Sequence, residues 1–448
     1  MKQLNVQDYI DSRPLSAMQW LVFILGALII FMDGLDTGVI GFVAPSLIQD
    51  WGITKAQLAP VLSASLVGMA IGALLAGTLA DKFGRKWVVV ISTFMFGSFT
   101  LVSAIADNVT DLAFYRFLTG LGLGAAMPNI ATLVAEYMPV RNRVKMVNFM
   151  FCAFPLGITM GGLMAAKVIP TAGWQHMFWY CGLMPVILAV VLILKLPESI
   201  QYLINRRKPE TAKRILKKLS NQDHTNVDLV LPQAEKQQVK SGVSLILSAN
   251  YRLGTFMLWL CCFMSLLVFY LLTSWMPVML KQAGFTTEQY SLLAAIFPFG
   301  GVFGTAVIGY LMDKFQPNKT LMITYFISAV LFAMTGIFSG NPVLLGLSIF
   351  MSGAGLVGAQ SSLPALTALT YPVQGRATGV SWMHGIGRTG AICGALFGAQ
   401  ILAMQLSFSG LLLLLAVPVA VSGLALLLKG VRQNKDDCDT STNMAVAQ

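Results

Sequence analysis

GTLADKFGRK, Gly77 to Lys86, is a short charged interruption between two long apolar runs, and GYLMDKF, Gly309 to Phe315, repeats it in degenerate form 232 residues later. At that offset Gly68, Gly72, Gly77, Leu79, Asp81, Lys82 and Phe83 meet Gly300, Gly304, Gly309, Leu311, Asp313, Lys314 and Phe315. At an offset of 233, Pro139, Val140, Arg143, Gly157 and Gly161 meet Pro372, Val373, Arg376, Gly390 and Gly394. Outward from the quoted loop, apolar stretches fall near 18–44, 58–80, 87–107, 111–138, 146–167 and 175–196, and six more near 253–277, 288–312, 320–340, 342–370, 377–403 and 407–430. Each is long enough to cross a hydrocarbon layer about 30 Å thick as a helix, which satisfies its own backbone polar groups there. The expected fold is an all-α membrane protein with twelve transmembrane helices in two pseudo-symmetric six-helix bundles. Such parallel repeats are the pattern of a rocking transporter with its site at their interface.

Composition leads to the same class. Of 448 residues, 56 % are hydrophobic and 11 % charged, against roughly 25 % charged in a soluble domain. A soluble globular protein is excluded. The net charge of +11 does not point to nucleic acid, because the basic residues sit in short loops rather than on one soluble face. With the N-terminus inside and sides alternating, 25 Lys and Arg fall inside and three outside (Lys55, Lys167, Lys281), leaving Arg116 and Arg388 in the membrane. That excess places both termini in the cytoplasm. The chain then divides into a cytoplasmic N-terminal segment 1–17, a first bundle 18–196, a cytoplasmic linker 197–252, a second bundle 253–430 and a cytoplasmic tail 431–448. The first apolar run is too long and too polar at its centre for a cleavable signal. In the linker, Lys213, Arg214, Lys217 and Lys218 recur at helical spacing, so the expectation is a basic amphipathic helix, either on the membrane surface or simply solvated. Six cysteines show no CxxC pair or metal spacing, and no nucleophile motif appears. The sequence therefore predicts no enzyme, no cofactor, no metal and no obligatory protein partner; the bilayer and a small molecule are the expected partners.

Within the spans, FMDGLDTGVIGFVAP places Asp33 and Asp36 halfway along the first helix, three residues apart and on one face. An ionised Asp at the bilayer centre costs about 2.5 to 3.5 kcal/mol, so the pair is a functional site by default. Carboxylates buried this close favour a shared proton, which makes at least one a reversible proton carrier. Arg388 lies near the middle of span 11, with His384 one turn earlier and Gly379, Gly385, Gly387 and Gly390 permitting close approach. Its guanidinium matches a carboxylate in two-point geometry, supplied by the substrate or by Asp33 or Asp36. Phe42, Tyr270 and Trp275 are candidate walls for a bound ligand, and Asn129, Gln360, Ser361 and Ser362 are mid-span polar groups able to hydrogen-bond to it. One co-transported proton cancels the charge of a monoanion, whose entry against an inside-negative potential is otherwise opposed by about 2.3 kcal/mol per 100 mV.

Several of these segments carry a family resemblance. GTLADKFGRK is similar to the hallmark loop of the major facilitator superfamily, and RFLTGLGLGAAMPN to its second motif. The resemblance implies a gating role for Asp81, with Gly77, Gly84, Arg85 and Lys86 in the same loop and Asp313 and Arg376 in the copy, and a tie between Arg116 and proton coupling. PLGITMGG, Pro155 to Gly162, lacks the Gly-Pro pair of the antiporter signature, which disfavours antiport. DGLDTGVIGFVAP, LTGLGLGAAMPN, LLTSWMPVML, GAQSSLPAL and QGRATGVSWMHGIGR together resemble the aromatic acid:H+ symporter family over essentially the whole chain. That resemblance implies proton-driven uptake of 4-hydroxybenzoate- or protocatechuate-type acids across a bacterial inner membrane. It matches Asp33 and Asp36 to the family's DGxD pair, Glu136 to its acidic residue at the end of span 4, and Arg376 and Arg388 to its span 11 arginines. Asn318 departs from the His that similar permeases can carry. The rival readings are a permease for another organic anion, such as vanillate, benzoate or muconate, and a membrane sensor for aromatic acids.

Overall fold

The computed structural model describes residues 2–220, 227–230, 242–404 and 406–446. Among the described residues, twelve helical segments are long and apolar enough to cross a membrane. In the first half they are α2 (Ala17–Trp51), α3 (Lys55–Phe83), α4 (Arg85–Ser103), α5 (Val109–Tyr137), α6 with α7 (Val140–Phe151 and Ala153–Ala172) and α8 (Trp174–Lys195), preceded by a short α1 (Val6–Asp11). The linker holds α9 (Ile200–Asn205), α10 (Pro209–Ser220) and α11 (Gly242–Ile246). The second half contains α12 (Arg252–Gln282), α13 (Thr287–Lys314), α14 (Pro317–Thr335), α15 (Pro342–Thr370), α16 (Val373–Ala403) and α17 (Phe408–Val446). Several helices outrun the apolar stretches: α2, with 35 residues against the stretch 18–44, rises about 52 Å, more than the hydrocarbon thickness. Span 5 is interrupted at Cys152, where Pro155 cannot donate to the carbonyl one turn earlier. The last helix runs on to Val446 through the stretch expected to be a tail.

Leu74, Val343 and Leu194 are 81 %, 79 % and 73 % exposed. Large apolar side chains turned outward from helices of this length mark faces that meet lipid. Packing divides the chain into one unit of Met1–Val43 with Ala64–Gln237 and another of Ala44–Ser63 with Gln238–Gln448.

The internal repeat is visible in the backbone. A Cβ on Gly68 would overlap the Phe117 carbonyl oxygen, and one on Gly300 the Phe350 carbonyl oxygen. Gly72 meets the Leu121 carbonyl as Gly304 meets that of Ala354, and Gly120 meets Ser65 as Gly353 meets Phe297. Gly157 against Phe31 is repeated by Gly390 against Phe263. The members on α2 and α3 are displaced by 232 positions and those on α5 and α7 by 233. The repeated glycines thus mark where α3 crosses α5, α13 crosses α15, α7 crosses α2 and α16 crosses α12 at backbone contact.

The linker helix differs from both expectations. Ala212, Ile215 and Leu216 on α10 are buried in one core with Val6 and Ile10 of α1, Leu196, Ile200 and Leu203. Its apolar face is occupied by protein, so it does not lie in lipid, and only the basic face with Arg214, Lys217 and Lys218 is exposed. A four-residue parallel strand pair, β1 (Lys2–Asn5) with β2 (Val227–Val230), joins the N-terminus to the linker. It adds a small element that an all-helical reading lacks.

Candidate functional site

In the first unit α2 carries both carboxylates past tight glycine crossings. A Cβ on Gly34 would overlap the Phe154 carbonyl oxygen, so α2 and α7 touch beside Asp33. Asp36 is fully buried, and Arg116 of α5 grips it with both forks: Nη1 donates to Oδ1 at 2.9 Å and Nη2 to Oδ2 at 2.7 Å. Arg116 Nη2 also donates to the Asp36 carbonyl at 3.2 Å, and Thr100 Oγ1 of α4 donates to Oδ1 at 2.6 Å. Arg116 itself has no exposed surface, and the Phe178 ring lies 6.0 Å from its guanidinium carbon. Charge-assisted, two-point and shielded from water, this is the strongest polar contact the protein interior offers. Asp33, 2 % exposed, accepts a longer hydrogen bond of 3.4 Å from Thr37 of its own helix. Although the two carboxylates lie three residues apart, Asp36 is claimed by α4 and α5 of its own unit, so the Asp36–Arg388 pairing considered from the sequence is not the one observed.

A second cluster closes the cytoplasmic end predicted for α3, α4 and α5. Gly84 turns the chain between α3 and α4 at φ +94°, where a side chain would strain the backbone and meet the Glu198 carboxylate. Gly77, expected to help make that turn, is instead an exposed residue within α3. Arg85 pairs with Glu136 and donates to Ser199 Oγ at 2.6 Å, while Ser199 Oγ donates to Glu136. Glu136 therefore belongs to this end cluster and makes no contact there with Asp33 or Asp36. The N-terminus of α4 donates to Glu198: the Lys86 amide reaches its Oε1 at 3.0 Å. Asp81 is exposed, with its backbone carbonyl accepting from Arg206 at 2.9 Å. Thr100, Glu198 and Ser199 were missed as site residues; the signal for the last two was an acid and a hydroxyl directly after Pro197 at the end of a span.

The second unit is built differently. Its spans contain no acid except Glu288 and Asp313 at the two ends of α13. On α16, Arg388 is half-buried and His384, one turn earlier, is exposed. Gly387 and Gly390 press α16 against Cys262 and the Phe263 carbonyl of α12, which fixes the level of Arg388. Asp313 and Arg376 are exposed, and Arg376 Nε donates to the Tyr371 carbonyl at 3.2 Å. Asn318, where a His was the family alternative, donates to the Leu426 carbonyl at 2.9 Å and ties α14 to α17.

Three candidate ligand contacts prove to be packing. Trp275 is fully buried, its Nε1 donates to the Ala395 carbonyl at 2.8 Å, and a Cβ on Gly398 would strike its ring. Phe42, 2 % exposed, packs beside Gly38 and Gly161. Asn129 has its amide nitrogen engaged with the Ala125 and Ala76 carbonyls at 2.8 and 3.3 Å, locking α5 to α3. Tyr270 remains half-buried, edge-on to Phe269, and Ser361 is exposed, whereas Ser362 Oγ bonds back to the Gly358 carbonyl.

Twelve apolar helices in two repeated sets, with charged side chains deep inside them, define a polytopic α-helical membrane transporter. The sequence profile of the Major Facilitator Superfamily matches residues 26–324 and 258–439. The 4-hydroxybenzoate transporter PcaK of Pseudomonas aeruginosa is 45 % identical over 438 residues, covering 97 % of this chain and 98 % of the relative. The gallate transporter of Pseudomonas putida is 41 % identical, covering 95 % of each. Among solved structures, the inward-open xylose transporter XylE from E. coli aligns with a TM-score of 0.71 at 17 % identity, over 91 % of this chain and 95 % of that one, which supports the fold. The chain belongs to the Major Facilitator Superfamily and, within it, to the aromatic acid permeases.

Proposed function

We propose that the protein imports aromatic carboxylates of the 4-hydroxybenzoate and protocatechuate type across the bacterial inner membrane, one proton with each, by alternating access and with both termini in the cytoplasm. The relatives' names support the substrate class, and the gallate transporter among them extends it to more heavily hydroxylated rings. The observation that carries the coupling is the bidentate Asp36–Arg116 pair. Away from the span ends the charged side chains are Asp33, Asp36, Arg116 and Arg388. Asp36 and Arg116 neutralise each other, which leaves one negative charge at Asp33 and one positive charge at Arg388.

The coupling follows from that inventory. With the carrier empty the two remaining charges sum to zero. With a proton on Asp33 and a carboxylate on Arg388 they sum to zero again. A proton alone or an anion alone leaves one net charge in the membrane interior, at about 2.5 to 3.5 kcal/mol on insertion scales. The empty and doubly loaded forms change sides; the singly loaded forms are held back. Asp81, with the Arg85–Glu136–Ser199 cluster, is assigned to gating at the cytoplasmic ends of the helices.

Asp33→Asn fixes the neutral form and separates the two halves of this cycle. In proteoliposomes the variant is expected to lose accumulation of labelled 4-hydroxybenzoate under an imposed pH gradient while keeping exchange of labelled for unlabelled substrate, since the loaded form still crosses. Full accumulation by the variant excludes Asp33 as the required proton carrier.

A further inference from the structure

Among the described residues, Gln360 shares with Trp259, Tyr290 and Ser291 of the second unit a buried polar atom that has no hydrogen-bond partner. It lies on α15, and its Nε2 donates to Cys262 Sγ of α12 at 3.7 Å. Its Oε1 is buried and has no hydrogen-bond partner among the described residues. Whichever way the amide is turned, one end rests on Cys262 and the other is unsatisfied, because a thiol can donate as well as accept. The backbone adds a second acceptor. Pro364, four residues on within α15, has no N–H, so the Gln360 carbonyl lacks its regular helical donor. Other mid-span polar groups of this region are satisfied: Ser362 bonds the Gly358 carbonyl and Thr367 bonds the Leu363 carbonyl.

Cys262 also locates the group. Gly387 presses on its Sγ from α16, and Gly387 immediately precedes Arg388. The unsatisfied amide thus rests on a thiol that also lies against Gly387, so Gln360 and the backbone of Arg388 stand at one level of the unit, on two neighbouring helices. A rigid ring with a carboxylate at one end and a hydroxyl at the other has the chemistry to meet both.

We propose that Gln360 reads the ring hydroxyl of the substrate, accepting a hydrogen bond from a phenol whose carboxylate is held by Arg388, so that it sets the preference for hydroxylated over unsubstituted benzoates. The assignment rests on the aromatic acid reading above and deepens it. A site built to bond a hydroxyl discriminates against the analogue lacking it, because its buried polar group is then left unpaired.

The test is ligand-induced thermal stabilisation of the purified protein, read as apparent Kd for benzoate, 4-hydroxybenzoate and 3,4-dihydroxybenzoate. The natural protein is expected to prefer the hydroxylated acids by about tenfold, the worth of one neutral hydrogen bond at the upper end of its usual range. Gln360→Met, which keeps the volume and removes the polar end, brings the ratio to about one with the benzoate Kd unchanged. If that variant does not fold, Gln360→Asn, with its amide drawn back by one methylene, is expected to give an intermediate ratio. A ratio unchanged by substitution, or equal weakening of all three acids, overturns the assignment while leaving the permease reading intact. Failure of the natural protein to bind any of the three acids removes the permease reading itself, and the assignment with it.

Discussion

The two halves share a backbone and differ in what they bury. The same glycine crossings recur 232 or 233 positions apart, so the helices meet at the same levels. In the first half those levels hold a bidentate ion pair, Asp36 with Arg116, joined by Thr100, and an amide, Asn129, whose nitrogen is engaged by two carbonyls. In the second they hold a half-buried Arg388 and, two residues before the duplicated position of Asn129, an amide with one end unsatisfied. Duplication supplies the scaffold, and under the proposed function divergence at a few polar positions divides the work, proton chemistry on one side and anion recognition on the other.

The largest effects should come from opening the buried bidentate pair. Arg116→Ala leaves Asp36 buried without its cation and is expected to lower stability by about 3 to 5 kcal/mol, whereas Arg116→Met with Asp36→Leu recovers most of the loss. Thermal unfolding in detergent reads both. By contrast Arg388→Met should change stability little while abolishing 4-hydroxybenzoate binding; an equal loss of stability in the two arginine variants would erase the asymmetry between the halves.

The duplicated crossings provide a second comparison. Gly72→Ala and Gly304→Ala each drive a methyl into a backbone carbonyl, and each is expected to cost about 1 to 3 kcal/mol. Matched losses support equivalent helix contacts in the two halves, and a clear mismatch refutes them. The smallest effect belongs to the Arg85–Glu136–Ser199 cluster at the helix ends of the first half. At the duplicated positions of Arg85 and Glu136 stand Pro317 and Leu369. Ser199→Ala removes the hydroxyl bridging Arg85 and Glu136 and should cost about 1 kcal/mol by the same unfolding measurement.

Much of this was legible in the sequence. Span count, the six-plus-six organisation and the repeated glycines followed from apolar length and self-comparison, because a helix in lipid has few alternatives. Asp33, Asp36, Arg116 and Arg388 stood out because charge is costly there. What the sequence did not provide was partnership. Spacing put Asp33 and Asp36 on one face and left Arg388 as a possible mate, yet Arg116, eighty residues from Asp36 along the chain, is the residue in contact. Trp275 and Phe42 read as ring walls for the same reason: an aromatic in an apolar helix gives no sign of which neighbour it packs on. The linker helix misled similarly, since an amphipathic pattern shows that a face is covered without showing by what.

The central claim is that one protonatable carboxylate in the first half balances one guanidinium in the second. It is tested most directly by counting protons against substrate. Pyranine-loaded proteoliposomes with the membrane potential clamped at zero report proton entry alongside labelled 4-hydroxybenzoate entry. The account predicts one proton per anion for the natural protein, with no current on substrate addition. A ratio of two with inward positive current, or substrate entry with no proton at all, would contradict it.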